Sequence, residues 1–184
     1  MNIYLHELKV NCKSVLTWVG VAILLMLLYV AFYSSFGADM DSFVKLMESM
    51  PEGMKSAMGV DISIIGSILG YYAFILTVIL VCMGIQAINL GLSILSKEER
   101  GKTADFLLTK PVSRIKVITT KILASLTIIL FINIILFISN YLILLIVGGE
   151  AFNFEVYTLL TLPILFIQLL FWSLGFLISV ILKK

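Results

Sequence analysis

"VITTKILASLTIILFINIILFISNYLILLIV", residues 117–147, is the stretch that decides the fold class. Its single charged residue, Lys121, stands near the start. Crossing the hydrocarbon core of a bilayer takes about 20 apolar residues in a helix, and this run is longer. A lone segment in lipid finds no water for its peptide groups, so it must close its own hydrogen bonds as a helix. The surplus length predicts tilt, or extension past the hydrocarbon.

Outward from it, three more segments meet the same requirement: Val15–Tyr33, a long run within Ile64–Leu95, and Tyr157–Leu182. Val15–Tyr33 exceeds the roughly 7–15 apolar residues of a signal-peptide core, so it reads as a retained span. Composition agrees, with 61% hydrophobic residues and a mean hydropathy of +1.12, well above a soluble globular chain. The expected fold class is all-α, a polytopic membrane helical bundle of four transmembrane helices with short amphipathic cytoplasmic and external helices. A single transmembrane domain covers 1–184, with spans near 15–33, 64–95, 117–147 and 157–182. An amphipathic segment occupies 1–14, an external loop 34–62 and a cytoplasmic loop 96–116.

The net charge of +2 is too small to suggest a nucleic-acid partner, and the placement of charge says more. Lys97, Arg100, Lys102, Lys110, Arg114, Lys116 and Lys121 hold over half of the 13 basic residues within 96–121. Lys9 and Lys13 precede the first span, and Lys183 and Lys184 follow the fourth. Residues 148–156 carry Glu150 and Glu155 and no basic residue. Residues 34–62 set Asp39, Asp41, Glu48, Glu52 and Asp61 against Lys45 and Lys55. Short loops rich in Lys and Arg stay in the cytoplasm, so both termini are expected there. The expected location is a cell membrane, of bacterial plasma-membrane type.

The middles of the spans hold no Asp, Glu, Lys, Arg or His. Intramembrane ionisable groups mark proton relays and ion-coupled transport, so their absence argues against a secondary transporter and against an intramembrane hydrolase. Cys12 and Cys82 lie far apart and His6 has no second ligand near it, so no disulfide, metal site or cofactor is expected. The chain is not expected to be an enzyme. Gln86, Asn89, Asn133, Asn140 and Gln168 are the polar residues within spans, and either line a translocation path or bond helix to helix. Gly66 and Gly70 have the small-xxx-small spacing of close helix packing.

In the external loop, Asp41–Ser49 and "PEGMKSAMG" read as short helices, with Pro51 and Gly59 at the ends of the second. Met40, Met47, Met50, Met54 and Met58 recur at helical spacing. They read as an apolar packing face rather than a Cu(I) site, because no His or Cys accompanies them. In the loop 96–116, Ser96 and Glu99 form an S-x-x-E capping box, which predicts a helix from Lys97. Ala104, Leu107 and Leu108 give it an apolar stripe beside Phe106, and Lys110-Pro111 ends it. Such a basic amphipathic segment rests on the membrane surface or docks a partner.

The segment 98–114, "EERGKTADFLLTKPVSR", resembles the cytoplasmic loop of ATP-binding-cassette (ABC) transporter permeases of the second, exporter-type family. The opening "NIYLHELKVNCKSVLTW", residues 2–18, is similar to their N-terminal segment. The resemblance implies a permease subunit that pairs with a second copy or a paralogue. Each short cytoplasmic helix would dock a separate cytosolic ATP-binding subunit, with Glu98, Glu99, Lys102, Asp105, Phe106 and Leu107 as contacts and Phe106 as the apolar anchor. Pro111, Ser113 and Arg114 would hold the turn into the third span. The N-terminal helix, with Glu7 and Lys9, would lie along the inner membrane surface in contact with lipid. The chain has no G-x-x-x-x-G-K-[ST] phosphate loop, so ATP chemistry is assigned to the partner.

Members of that family typically have six spans. Four spans ending at "ILKK" lead to the expectation of a truncated, shortened or split permease. The rival reading is a non-transporting four-span protein, an immunity or assembly factor that binds another membrane protein.

Overall fold

The computed structural model describes residues 3–36, 49–51, 53, 68–100, 114–148 and 152–181. Among these, the regular elements are five helices: α1 (Ile3–Phe36), α2 (Ile68–Arg100), α3 (Arg114–Gly148), α4 (Phe154–Thr161) and α5 (Pro163–Ile181). Helices α1, α2, α3 and the continuous α4–α5 unit are each long and apolar enough to cross a membrane. The all-α, four-span expectation is met.

Three boundaries differ from the sequence expectation. Segment 1–14 is continuous with the first span, as α1 runs unbroken from Ile3 to Phe36. No Gly or Pro stands between Ile3 and Val19, and Asn11 Nδ2 and Thr17 Oγ1 bond back to the carbonyls of Glu7 and Lys13. Secondly, α2 continues through Ser96 to Arg100, so the capping box starts no new helix there. A cap is useful where amide donors lack a preceding turn, and here the turn before Ser96 is already helical. Thirdly, the fourth span is interrupted at Leu162. Pro163 has no N–H to continue the ladder and opens α5 instead, with Leu165 N bonding Leu162 O at 3.1 Å. Asn153 caps α4 by accepting from Glu155 N at 2.8 Å and Val156 N at 3.4 Å.

Chain direction follows from cross-helix bonds. Tyr71 Oη donates to Tyr29 O at 2.9 Å, so α2 begins where α1 ends. Lys121 and Tyr4 meet the other ends, which gathers Ile3, Arg100, Arg114 and Ile181 at one end of the bundle, called here the basic end. The most extensive packing is not between sequence neighbours. It joins α2 to α5 and α1 to α3, two pairs of parallel helices, while contacts between the pairs are sparser.

Small residues explain the α2–α5 pairing. Gly84, Ala87 and Gly91 are buried on α2, and Gly175 is buried on α5. A Cβ at Gly91 would collide with Trp172 O and stand 2.8 Å from Phe176 N; one at Gly175 would collide with Ile88 O. The two backbones therefore touch, a contact only glycine permits. Of the expected Gly66–Gly70 pair, Gly70 is buried at the start of α2 and Gly66 lies outside the described residues.

The opposite end is closed by rings. Tyr157, buried at the centre, stacks on Tyr72 with centroids 5.5 Å apart and meets Phe137 at 5.0 Å and Tyr141 at 5.5 Å. Phe152 and Phe154 complete the cluster against Tyr141. Offset and tilted ring pairs at these distances are favourable beyond their buried area.

Candidate functional site

Buried polar side chains are costly inside an apolar bundle and so mark positions where the sequence tolerates expense. On α3 they include Lys121 and Asn140, and with the half-buried Asn133 between them they mark three levels. At 1.5 Å per residue the levels are separated by about 18 Å and about 10 Å.

At the basic end, Lys121 is 3% exposed and pairs with Glu7 across 3.1 Å. Its Nζ also donates to Ile94 O at 3.0 Å. One ammonium thus joins α1, α2 and α3. Tyr4 Oη adds a bond to Thr127 Oγ1 at 3.0 Å. Sequence reasoning placed Glu7 on a surface helix and read Lys121 as topogenic. The available signal was a Lys one turn inside a span with a Glu on another helix near the same end.

At the middle level, Asn133 Nδ2 donates to Ile129 O at 2.9 Å and to Gln168 Oε1. Gln168 Nε2 in turn donates to Gln86 Oε1 at 3.2 Å. Three of the five residues expected on a path therefore form one amide chain across α3, α5 and α2. Gln86 also lines a cleft of about 180 Å³ between α1 and α2. Asn11, Ser14, Asn89 and Ser93 line it with Gln86, beside Val15 and Leu90. Asn89 is exposed there and stays apart from the amide chain.

At the far level, Asn140 is fully buried and its Nδ2 reaches Tyr72 Oη at 3.4 Å. Tyr72 Oη and Thr161 Oγ1 lie 3.1 Å apart, Thr161 donates to Tyr157 O at 2.8 Å, and Tyr157 Oη donates to Phe137 O at 2.6 Å. Asn140 Oδ1 and Trp172 Nε1 are buried without a hydrogen-bond partner among the described residues. This sets a contrast. Asn140→Leu removes an unpaired acceptor and is expected to leave stability unchanged or raised. Gln168→Leu strands two amides and is expected to cost about 1–3 kcal/mol. Unfolding of both variants by denaturant in detergent compares them.

Of the expected docking residues, Glu98 and Glu99 lie on the last turn of α2 and Arg114 opens α3. Lys102, Asp105, Phe106, Leu107 and Pro111 lie outside the described residues, as do Ser113 and the external-loop residues 41–48 and 54–60. Among the described residues no group of His, Cys, Asp and Glu could hold a metal ion.

The geometry is that of a helical membrane bundle with an apolar interior crossed by a few buried polar groups. The sequence model of one family, described as ABC-2 family transporter protein, matches residues 1–184. No curated protein and no solved structure matches the chain. A match over the whole chain, together with four apolar spans, makes this multi-pass membrane protein a member of the ABC-2 transporter family, whose membrane components are permeases rather than catalysts.

Proposed function

We propose that the chain is the membrane subunit of an ATP-driven exporter, acting with a separate cytosolic ATP-binding subunit and a second permease copy or paralogue. The family match over residues 1–184 is the observation that carries this reading. The segment 96–116, from the last turn of α2 to the first of α3, is the docking element. Its contacts are Glu98, Glu99, Lys102, Asp105, Phe106 and Leu107, with Pro111 and Arg114 guiding the return into α3. The Lys121 junction supports the assignment, because it ties α1, α2 and α3 together at the root of that loop. Any displacement of the loop then reaches three helices at once. Gln86, Asn89, Asn133, Asn140 and Gln168 form the proposed polar path.

Purification in mild detergent is expected to recover a bound ATPase subunit. Asp105→Ala combined with Phe106→Ala should release it at least tenfold while membrane insertion stays intact. An absent ATPase, or full retention by the double variant, overturns the proposal. The rival four-span binding protein would instead recover a membrane partner.

The cytoplasmic placement of both termini is tested by thiol chemistry. Cys12 is exposed near the basic end, whereas Cys82 is half-buried within α2. A membrane-impermeant maleimide is expected to label Cys12 in inside-out vesicles and not in intact cells. The reverse pattern overturns the orientation.

A further inference from the structure

The cleft between α1 and α2 inherits its chemistry from a carbonyl it does not contain. Ile129 O can only accept, so the Asn133 amide must turn its nitrogen toward it. That same nitrogen also serves Gln168 Oε1, which leaves Gln168 Nε2 to face Gln86 Oε1. Each amide in the chain is thereby fixed against a flip. Gln86 ends it with Nε2 as an unspent donor, on a side chain that is 3% exposed and lines the cleft. No hydrogen bond from Gln86 Nε2, from the Asn89 amide or from the Ser14 hydroxyl to another described residue exists. Gln86 Nε2 is not one of the buried side-chain atoms left without a partner, so it opens onto the cleft, where an accepting group can reach it.

We infer that this cleft binds the phosphodiester head group of a membrane lipid. A phosphodiester accepts hydrogen bonds and, when ionised, donates none, which suits a cleft lined by the Gln86, Asn89 and Ser14 donors. No carboxylate lines the cleft, and Lys9 and Lys13 are exposed on α1 beside Val10 and Ser14. The local field therefore favours an anion. The volume, about 180 Å³, is below the roughly 300 Å³ at which pockets for drug-sized molecules begin, so it takes a head group and not an acyl chain. The stem has an apolar track outside it: Val81 and Ile85 are exposed on α2 at four-residue spacing from Asn89. The inference needs neither ATPase docking nor hydrolysis.

The test uses the full chain in detergent and native mass spectrometry with dihexanoylphosphatidylglycerol as probe. Saturable binding of one lipid is expected, with dihexanoylglycerol and glycerol phosphate binding at least tenfold more weakly. Equal binding of dihexanoylglycerol would show an apolar groove, and equal binding of glycerol phosphate a free-anion site; either overturns the inference. Gln86→Glu replaces the donor by an acceptor and is expected to weaken the lipid at least tenfold. Ser14→Ala with Asn89→Ala, both at the exposed rim, should weaken it about fivefold and serves if Gln86→Glu does not fold. Wild-type affinity in every folded variant sinks the assignment. Asn133→Leu, a positioning change remote from the cleft, should weaken binding about threefold by freeing the amides to turn. Unchanged affinity there overturns the fixed polarity.

Discussion

Gly91→Val and Gly175→Val are each expected to leave little folded protein in detergent. A Cβ at Gly91 would sit 2.8 Å from Phe176 N and 3.1 Å from Gly175 C, and closer still to Trp172 O. One at Gly175 would press on the carbonyl, carbon and Cα of Ile88. These are backbone atoms, so no rotamer change relieves the overlap. Overpacking that side chains can absorb costs about 1–3 kcal/mol. Here α2 and α5 must separate along their most extensive interface, which puts the loss at about 3 kcal/mol or more. Two comparisons give the gradient. Gly84→Ala meets the Phe171 ring at 3.3 Å, a side chain that can shift, and should cost about 1 kcal/mol. Gly20→Ala meets nothing within 4 Å and should be neutral or slightly stabilising. Denaturant unfolding of the four variants orders them, and a stable Gly91→Val would refute the close contact.

The second large effect is at the buried ion pair. Glu7→Gln takes the paired carboxylate away from the Lys121 ammonium, which is 3% exposed and also donates to the Ile94 carbonyl. Removing one partner of a buried pair costs about 3–5 kcal/mol, mostly from the charge left behind. Lys121→Met should cost less, because Glu7 is 16% exposed and retains some access to water. The combination of Glu7→Gln with Lys121→Met is then expected to be more stable than Glu7→Gln alone. Unfolding free energies of the single and double variants close this cycle. Additive losses would mean that the two side chains do not interact. Because the pair holds three helices at the loop root, Glu7→Gln should also loosen any retained ATPase subunit.

The four spans were legible because a hydrophobic run long enough for a bilayer leaves few alternatives. Their ends were not. Ser96 and Glu99 spell a helix start, yet they sit where a helix already supplies the acceptors that a cap would replace. Leu162-Pro163 stood in the open as a break, but hydropathy alone passes over it. Helix pairing was less legible still, because spans apolar on every side show no face that belongs inside. Gly84, Ala87 and Gly91 did carry that information as a small-residue stripe, whose partner Gly175 only the fold reveals. Gln86, Asn133 and Gln168 were singled out one by one as polar residues in spans. Their joining into one chain depends on the registers of α2, α3 and α5, which no single helix encodes.

The two tight pairs, α1 with α3 and α2 with α5, have a mechanical consequence set by connectivity alone. The chain passes from α1 to α2, from α2 to α3, and from α3 through α4 to α5. Each link starts in one pair and ends in the other, like stitches that all cross the same seam. A pull on any connecting segment therefore loads the sparse interface between the pairs before it strains either pair internally. The amide chain and the Lys121 junction both bridge that seam. Polar bonds thus reinforce the interface that opens most readily, while the tightest backbone contact, at Gly91 and Gly175, lies within one pair.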